Sequence, residues 1–200
     1  MTKIKFAIFD VGQTIYPYTL EPLNRLMMQL TTDKKAFENA HTVFDYNYNS
    51  YMKGEIAHKD FVQDLCKFCH VSYEEVLVPL VDAALREGRG AIFPETFQAM
   101  QLFKSHGIAI GILSNALPIL GDAKMGLVKR EYIFTSYELG LLKPDIKIYQ
   151  TLAQKLNVPY EQILFIDDKE RNILPAQSLG INGIIFNQLT LLKDIETYLS

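Results

Sequence analysis

Residues 163–180 read Ile163-Leu164-Phe165-Ile166-Asp167-Asp168-Lys169-Glu170-Arg171-Asn172-Ile173-Leu174-Pro175-Ala176-Gln177-Ser178-Leu179-Gly180. Four apolar residues in a row, with no polar alternation, fit a parallel strand buried on both faces. Two carboxylates follow at its end. Asn172–Leu179 then forms a helical stretch, and Gly180 is a suitable helix stop. A strand that leads into a helix is the repeating unit of a parallel α/β sheet. Similar apolar runs occur at Phe6–Phe9, Ile108–Leu113, Tyr132–Phe134 and Gly183–Phe186. Ile146–Leu156 has apolar residues at helical spacing with Pro159 just beyond, and Leu191–Leu199 reads as a final helix. The expected fold is therefore α/β: a Rossmann-like parallel sheet core built from right-handed βαβ units.

The alternation fails between residues 17 and 89. Glu21–Leu30, Lys34–Met52, His58–Phe68 and Tyr73–Arg86 all read as helices, and no strand pattern stands out among them. The expectation is an inserted α-helical cap over residues 17–89, with residues 1–16 and 90–200 forming the core. Glu87-Gly88-Arg89-Gly90 is the expected return hinge, because two glycines permit large backbone rotations.

Composition excludes several classes. The 200 residues are 48% hydrophobic and 22% charged, as in ordinary globular proteins. Lys+Arg 20 against Asp+Glu 23 leaves a net charge of −3, which does not call for nucleic acid or an anionic membrane. No apolar run approaches the ~20 residues needed to span a bilayer. Two cysteines are too few for a disulfide framework, and the N-terminus lacks a long apolar signal region, so a cytoplasmic location is expected. Nothing in the sequence speaks to oligomeric state.

In open α/β sheets, ligands bind beyond the carboxyl ends of the strands. The residues following each expected strand are Asp10-Val11-Gly12-Gln13-Thr14, Ser114-Asn115, Gly140-Leu141-Leu142-Lys143-Pro144-Asp145, and Asp167-Asp168. Three carboxylates, a hydroxyl and an ammonium would thus share one rim. Clustered carboxylates repel one another, and a hard divalent cation removes the conflict. Mg²⁺ prefers oxygen ligands and keeps positions for water or a phosphate. A lysine and a serine hydroxyl beside it suit the remaining phosphate oxygens, leaving a carboxylate free to attack phosphorus.

In this order, IFDVGQT (Ile8–Thr14), ILSN (Ile112–Asn115), ELGLLKPD (Glu138–Asp145) and FIDDKERNILPAQSLG (Phe165–Gly180) resemble the motifs of the haloacid dehalogenase-like hydrolase superfamily over nearly the whole chain. The insertion resembles the mobile cap of its first subclass, and within that subclass the sequence is similar to phosphatases of small sugar phosphates and related metabolites. By position, the resemblance implies Asp10 as nucleophile and metal ligand, and Gly12 as a ligand through its backbone carbonyl. It implies Ser114 and Asn115 as phosphoryl-binding residues, and Lys143 as the residue that neutralises nucleophile and phosphate. It implies Asp168 as a Mg²⁺ ligand, supported by Asp167 and Asn172.

The chain departs from the family pattern at Gly12, where many of these phosphatases carry an Asp that protonates the leaving alcohol and activates water. General acid–base help is commonly worth ~10²–10⁴-fold. Three readings follow: a phosphatase whose substrate has an easy leaving group, such as an anomeric sugar phosphate or an aryl phosphate; a dehalogenase; and a non-catalytic relative that binds phosphate or a protein. Carbon–halogen cleavage needs no metal, whereas Asp167-Asp168 suits one.

Other features have plainer readings. Cys66-Lys67-Phe68-Cys69-His70 matches a haem-attachment spacing, but the thiols read as small core residues on an apolar helix. The aromatic group Phe37, Phe44, Tyr46, Tyr48 and Tyr51 reads as cap core. Tyr16 and Tyr18, just after Asp10, are the expected substrate contacts, while Arg86 and Arg89 read as solvated hinge charges.

Overall fold

The computed structural model describes residues 3–35, 45–120 and 128–199, with residues 45–47 described by backbone alone. Phe37 and Phe44 lie outside the described residues, as does the side chain of Tyr46. Five strands form one parallel sheet: β1 (Phe6–Phe9), β2 (Ala109–Ser114), β3 (Ile133–Thr135), β4 (Ile163–Asp167) and β5 (Asn182–Ile185), in the order β3-β2-β1-β4-β5. β1 lies between its partners with Phe6 beside Ala109 and Ile163, and Phe9 beside Ile112 and Ile166.

The side chains of the central strands alternate between two apolar layers. Ala7, Phe9, Leu164 and Ile166 pack with Ala99, Met100 and Phe103 of α5 (Pro94–Ser105) and with Leu191 and Ile195 of α9 (Leu191–Ile195). Ile8 and Phe165 face the other way, against Ile148 and Leu152 of α7 (Ile146–Leu156) and Ile173 and Ala176 of α8 (Glu170–Ser178). Burial on both faces is what the continuous apolar runs require.

Helix α5, the crossover into β2, is not announced by the apolar pattern. Its buried residues include Thr96 and Ala99, while Phe97 and Leu102 are exposed, so the stripe is blurred. Pro94 begins it, where a missing N–H costs nothing. Thr96 Oγ1 donates to the Thr14 carbonyl at 2.6 Å, tying this helix to the loop after β1.

Between β1 and α5 lie α1 (Glu21–Leu30), α2 (Asp45–Met52), α3 (His58–Phe68) and α4 (Leu77–Glu87). The last begins four residues later than the spacing suggests. Pro79 then falls in its first turn, whereas a start at Tyr73 would leave the proline in the interior without a hydrogen bond to give. The helices share their own apolar cluster, including Leu23, Met27, Phe61, Val62, Leu65 and Leu85. Cys66 and Cys69 are free thiols buried within it, and burial pushes the Cys69 thiol up to about 12. Tyr51 stacks on Phe61 with ring centroids 4.3 Å apart, and its hydroxyl lies 2.6 Å from His58 Nδ1.

The two connections to the sheet run side by side. Thr19 N donates to the Gly88 carbonyl and Gly90 N to the Pro17 carbonyl, each at 2.9 Å. Arg89 lies over the Tyr16 ring, 4.2 Å from its centroid. The helices also dock at a second place: α6 (Ser136–Leu139) offers Ser136 Oγ, which donates to the Met52 carbonyl at 2.6 Å. Gly54 is required there, because it has φ +73° and an added Cβ would lie 2.8 Å from the Tyr137 carbonyl oxygen. Leu117, from the segment after β2, completes the helical cluster.

Candidate active site

The chain runs from β1 outward through β2 to β3, then returns to the far side of β1 for β4 and β5. The segments leaving β1 and β4 therefore diverge, opening a crevice at their carboxyl ends. Asp10 follows β1, Asp167 ends β4 with Asp168 next to it, Ser114 ends β2, and Lys143 precedes α7. Tertiary structure brings these residues together from positions up to 158 apart in sequence.

Lys143 is the hub. Its side chain is 1% exposed, and Nζ donates to Asp10 Oδ1 at 2.7 Å, Asp167 Oδ2 at 2.7 Å and the Leu113 carbonyl at 2.9 Å. The ammonium also sits 5.3 Å from the Phe165 ring centroid. Burial alone would lower the Lys143 pKa, but the two carboxylates outweigh it and hold the group above its ordinary value. Burial pushes the Asp10 carboxyl up, the Lys143 ammonium pulls it down, and Asp167 adds to the rise.

The two adjacent aspartates are unlike. Asp167 is fully buried and saturated with donors: Asn172 Nδ2 reaches both oxygens at 2.9 and 3.0 Å, Lys169 N reaches Oδ1 at 2.9 Å, and Lys143 takes Oδ2. Asn172 is itself fixed, since Tyr149 Oη donates to its carbonyl at 2.7 Å. Asp168 is half-buried, and its Oδ1 is shut away from water without a hydrogen-bond partner. Burial raises its pKa, Lys169 opposes this, and Asp167 adds to it. Ligand atoms of Asp10, Asp167 and Asp168 all lie within 4.8 Å of one another. An all-oxygen set with an orphaned carboxylate oxygen fits a hard divalent cation such as Mg²⁺.

Asn115 is tied to the segment that carries Lys143. Its Nδ2 donates to the Lys143 carbonyl and its Oδ1 accepts from Lys143 N, both at 2.9 Å. The amide clamps the backbone that carries the lysine, and Asn115 also lines the cavity. Asp145, quoted within the third motif, caps α7 by accepting from Lys147 N at 2.9 Å. Ser114 is buried, and Gly12 pairs with Tyr16 in an isolated bridge.

The crevice is a cavity of about 640 Å³ lined by Asp10, Gly12, Ser114, Asn115, Lys143, Tyr16 and Tyr18 among others. Tyr16 is only 4% exposed and packs in the sheet-domain core, while Tyr18 carries a buried hydroxyl with no hydrogen-bond partner. Lys169 and Arg171 also line the cavity, as do Leu20, Met52, Leu117 and Leu120. Sequence reasoning missed all six. The two cations carry a weak signal, since they immediately follow the aspartate pair, but no sequence signal marks the apolar residues as walls.

Comparison with known proteins gives a consistent result. A model of the haloacid dehalogenase-like hydrolases matches residues 4–180. The chain is 24% identical over 190 residues to Sesquiterpene phosphatase astK of Aspergillus oryzae, covering 92% of this chain and 90% of that protein. It is 28% identical over 128 residues to human Magnesium-dependent phosphatase 1, covering 58% of this chain and 70% of that one. Some relatives are far longer: the match to Acyl-CoA dehydrogenase family member 10 of mouse, 27% identical, covers 74% of this chain and spans 14% of that protein. The fold is like that of a HAD-family enzyme from Bacteroides thetaiotaomicron solved with magnesium and inorganic phosphate, with a TM-score of 0.75, 20% identity, and coverage of 92% of this chain and 95% of that chain.

Proposed function

Because the chain belongs to the haloacid dehalogenase-like hydrolase family, we propose that it is a Mg²⁺-dependent phosphomonoesterase that hydrolyses a small phosphorylated metabolite through a phospho-Asp10 intermediate. A single observation carries this reading: Asp10 is buried at the floor of an open cavity, bonded at 2.7 Å to a lysine that Asp167 and Asn115 hold in place, beside a second carboxylate with an orphaned oxygen. The names of relatives agree with it.

A carboxylate oxygen of Asp10 attacks phosphorus, the P–O bond to the leaving group breaks, and that oxygen departs with the bonding electrons. Lys143 keeps Asp10 ionised and partners the charge that develops on the phosphoryl oxygens. The Ser114 hydroxyl, at the carboxyl end of β2, donates to one of them. Water then attacks the same phosphorus as the P–O bond to Asp10 breaks, which releases phosphate and restores the Asp10 carboxylate; the proton the water gives up matches the one the departed oxygen takes from solvent. Asp10, Asp168 and the Gly12 carbonyl would hold Mg²⁺, which when bound neutralises carboxylate and phosphoryl charge. Asp167 supports the site through Lys143, since the hydrogen bonds of its carboxylate run to Lys143, Asn172 and the backbone of Lys169.

Residues 17–89 act as a cap that opens at the paired connections and closes over the substrate, excluding bulk water. Tyr16 and Tyr18, which line the cavity, are the substrate contacts. A cytoplasmic location suits the free thiols Cys66 and Cys69. Among the described residues no helix is long and apolar enough to cross a membrane.

The test is hydrolysis of p-nitrophenyl phosphate with Mg²⁺ and then with chelator, alongside trapping of acid-quenched phosphoprotein. Metal-dependent turnover and label on the wild type, both absent in Asp10→Asn, are expected. Folded protein that hydrolyses no member of a broad phosphate panel overturns the reading in favour of a phosphate- or protein-binding role.

A further inference from the structure

The cavity is chemically lopsided. The sheet rim supplies its charge through Asp10, Lys143, Lys169 and Arg171, with the Ser114 hydroxyl beside them. The inserted helices and the turn after β2 supply a wall that is apolar and aromatic: Tyr18, Leu20, Tyr48, Met52, Leu117 and Leu120. Met52 and Leu117 belong to the buried cluster of the helical module, and Leu20, Tyr48 and Leu120 pack against it, so this wall is the exposed edge of a packed core.

The polar side chains that share the lining are largely engaged already. Gln13 Nε2 donates to the Tyr18 carbonyl at 2.8 Å, and Thr135 Oγ1 donates to Glu138 Oε2 at 2.8 Å. Asn115 is engaged with Lys143, and Asn172 with Asp167. A leaving group rich in hydroxyls would lose water on entry and meet few partners, and unpaired buried hydroxyls are penalised. Lys169 and Arg171 stand at the rim, next in sequence to the aspartate pair, and the Tyr18 hydroxyl is shut away from water without a partner. Beside the nucleophile, Gly12 presents no side chain, and the nearest atom to an added Cβ would be Tyr18 Cβ at 3.8 Å. The apolar wall therefore continues to the backbone at Gly12, two residues from the nucleophile.

We propose, building on phosphotransfer to Asp10, that the substrate is an organic phosphomonoester with an apolar, hydroxyl-poor leaving group, not a polyol phosphate. The wall takes the hydrocarbon part by burial. Specificity of this kind is set by apolar contact, where each buried group changes kcat/KM by a modest factor.

The experiment compares benzyl phosphate with glycerol 3-phosphate, both of which release a primary alcohol, so that their intrinsic reactivities are similar. Acetyl phosphate, which has almost no apolar part, is the third probe. Benzyl phosphate should be favoured by about tenfold or more in kcat/KM. Benzylphosphonate should bind more tightly than inorganic phosphate by calorimetry in the presence of Mg²⁺. In Leu120→Gln and, separately, Leu20→Gln, the benzyl-to-glycerol ratio should fall several-fold. Both substrates are read on one preparation, so partial unfolding cancels from the ratio. If acetyl phosphate turns over and labels Asp10, yet glycerol 3-phosphate equals or exceeds benzyl phosphate, the apolar leaving group is refuted and the phosphatase stands. If acetyl phosphate neither turns over nor labels Asp10, the phosphatase reading falls and this proposal falls with it.

Discussion

Replacing Lys143 with methionine keeps the side chain's approximate length and removes its charge. In the native site the ammonium lies 2.7 Å from both Asp10 and Asp167, and those carboxylates are 7% and 0% exposed. Without it, two ionised carboxylates with oxygens within 4.8 Å would repel by at least about 3.5 kcal/mol at an effective dielectric of about 20. That agrees with the ~3–5 kcal/mol expected when a buried ion pair loses one partner. The protein has a way to reduce this cost, because a carboxylate of the pair can take up a proton. Its folded-state pKa in the variant then lies well above its unfolded value. A group raised in this way is least harmful below its unfolded pKa and progressively destabilises the fold as pH rises through the folded pKa. The stability deficit of Lys143→Met should therefore be smallest near about pH 4 and reach several kcal/mol near about pH 8. Urea unfolding followed by circular dichroism at both pH values measures it, and added Mg²⁺ should recover part of the loss at the higher pH. A deficit of the same size at both pH values, unmoved by Mg²⁺, would refute the reasoning, because it would mean that only packing had been lost.

Gly12→Asp should fold, since an added Cβ has no neighbour closer than 3.8 Å and the backbone needs no left-handed conformation. If the missing acid–base group limits turnover, the variant should gain rate toward the lower end of the ~10²–10⁴ range and lose any pre-steady-state burst, read by rapid quench. Asn115→Ala should cost about 1–3 kcal/mol by leaving the Lys143 peptide without partners, and should lower kcat more than it raises KM, because it misplaces the lysine rather than deleting it. Mg²⁺ affinity should fall as pH drops: burial raises the carboxyl pKa values of Asp10 and Asp168, the cation binds the ionised forms, and each bound proton must first leave. Calorimetry across the acid range checks this, and a constant Kd would contradict it.

Much of this was legible in the chain because parallel strands buried on both faces leave uninterrupted apolar runs. Phe6–Phe9 is found where the sequence places it, and the other strands lie within about a residue of their expected bounds, as such boundaries usually allow. The catalytic candidates were legible for the same reason, since ligands gather where those runs end. Helix α5 was obscured because its buried face includes threonine and alanine while two large apolar residues point outward. The start of α4 depended on where Pro79 could be tolerated.

Sequence alone established that aspartates, a serine and a lysine follow strands of one sheet, because strand ends are a local property of the chain. Only the tertiary structure decided how they divide their tasks. Asp167 and Asp168 are neighbours in sequence and both acidic, yet one is saturated by Lys143, Asn172 and a backbone amide while the other keeps a buried oxygen without a partner. Asn115 looks like a ligand residue and serves as a clamp. Hydrogen-bond partners and cavity walls are set by groups that meet across the fold, from segments such as Met52 and Leu120 that no local pattern connects.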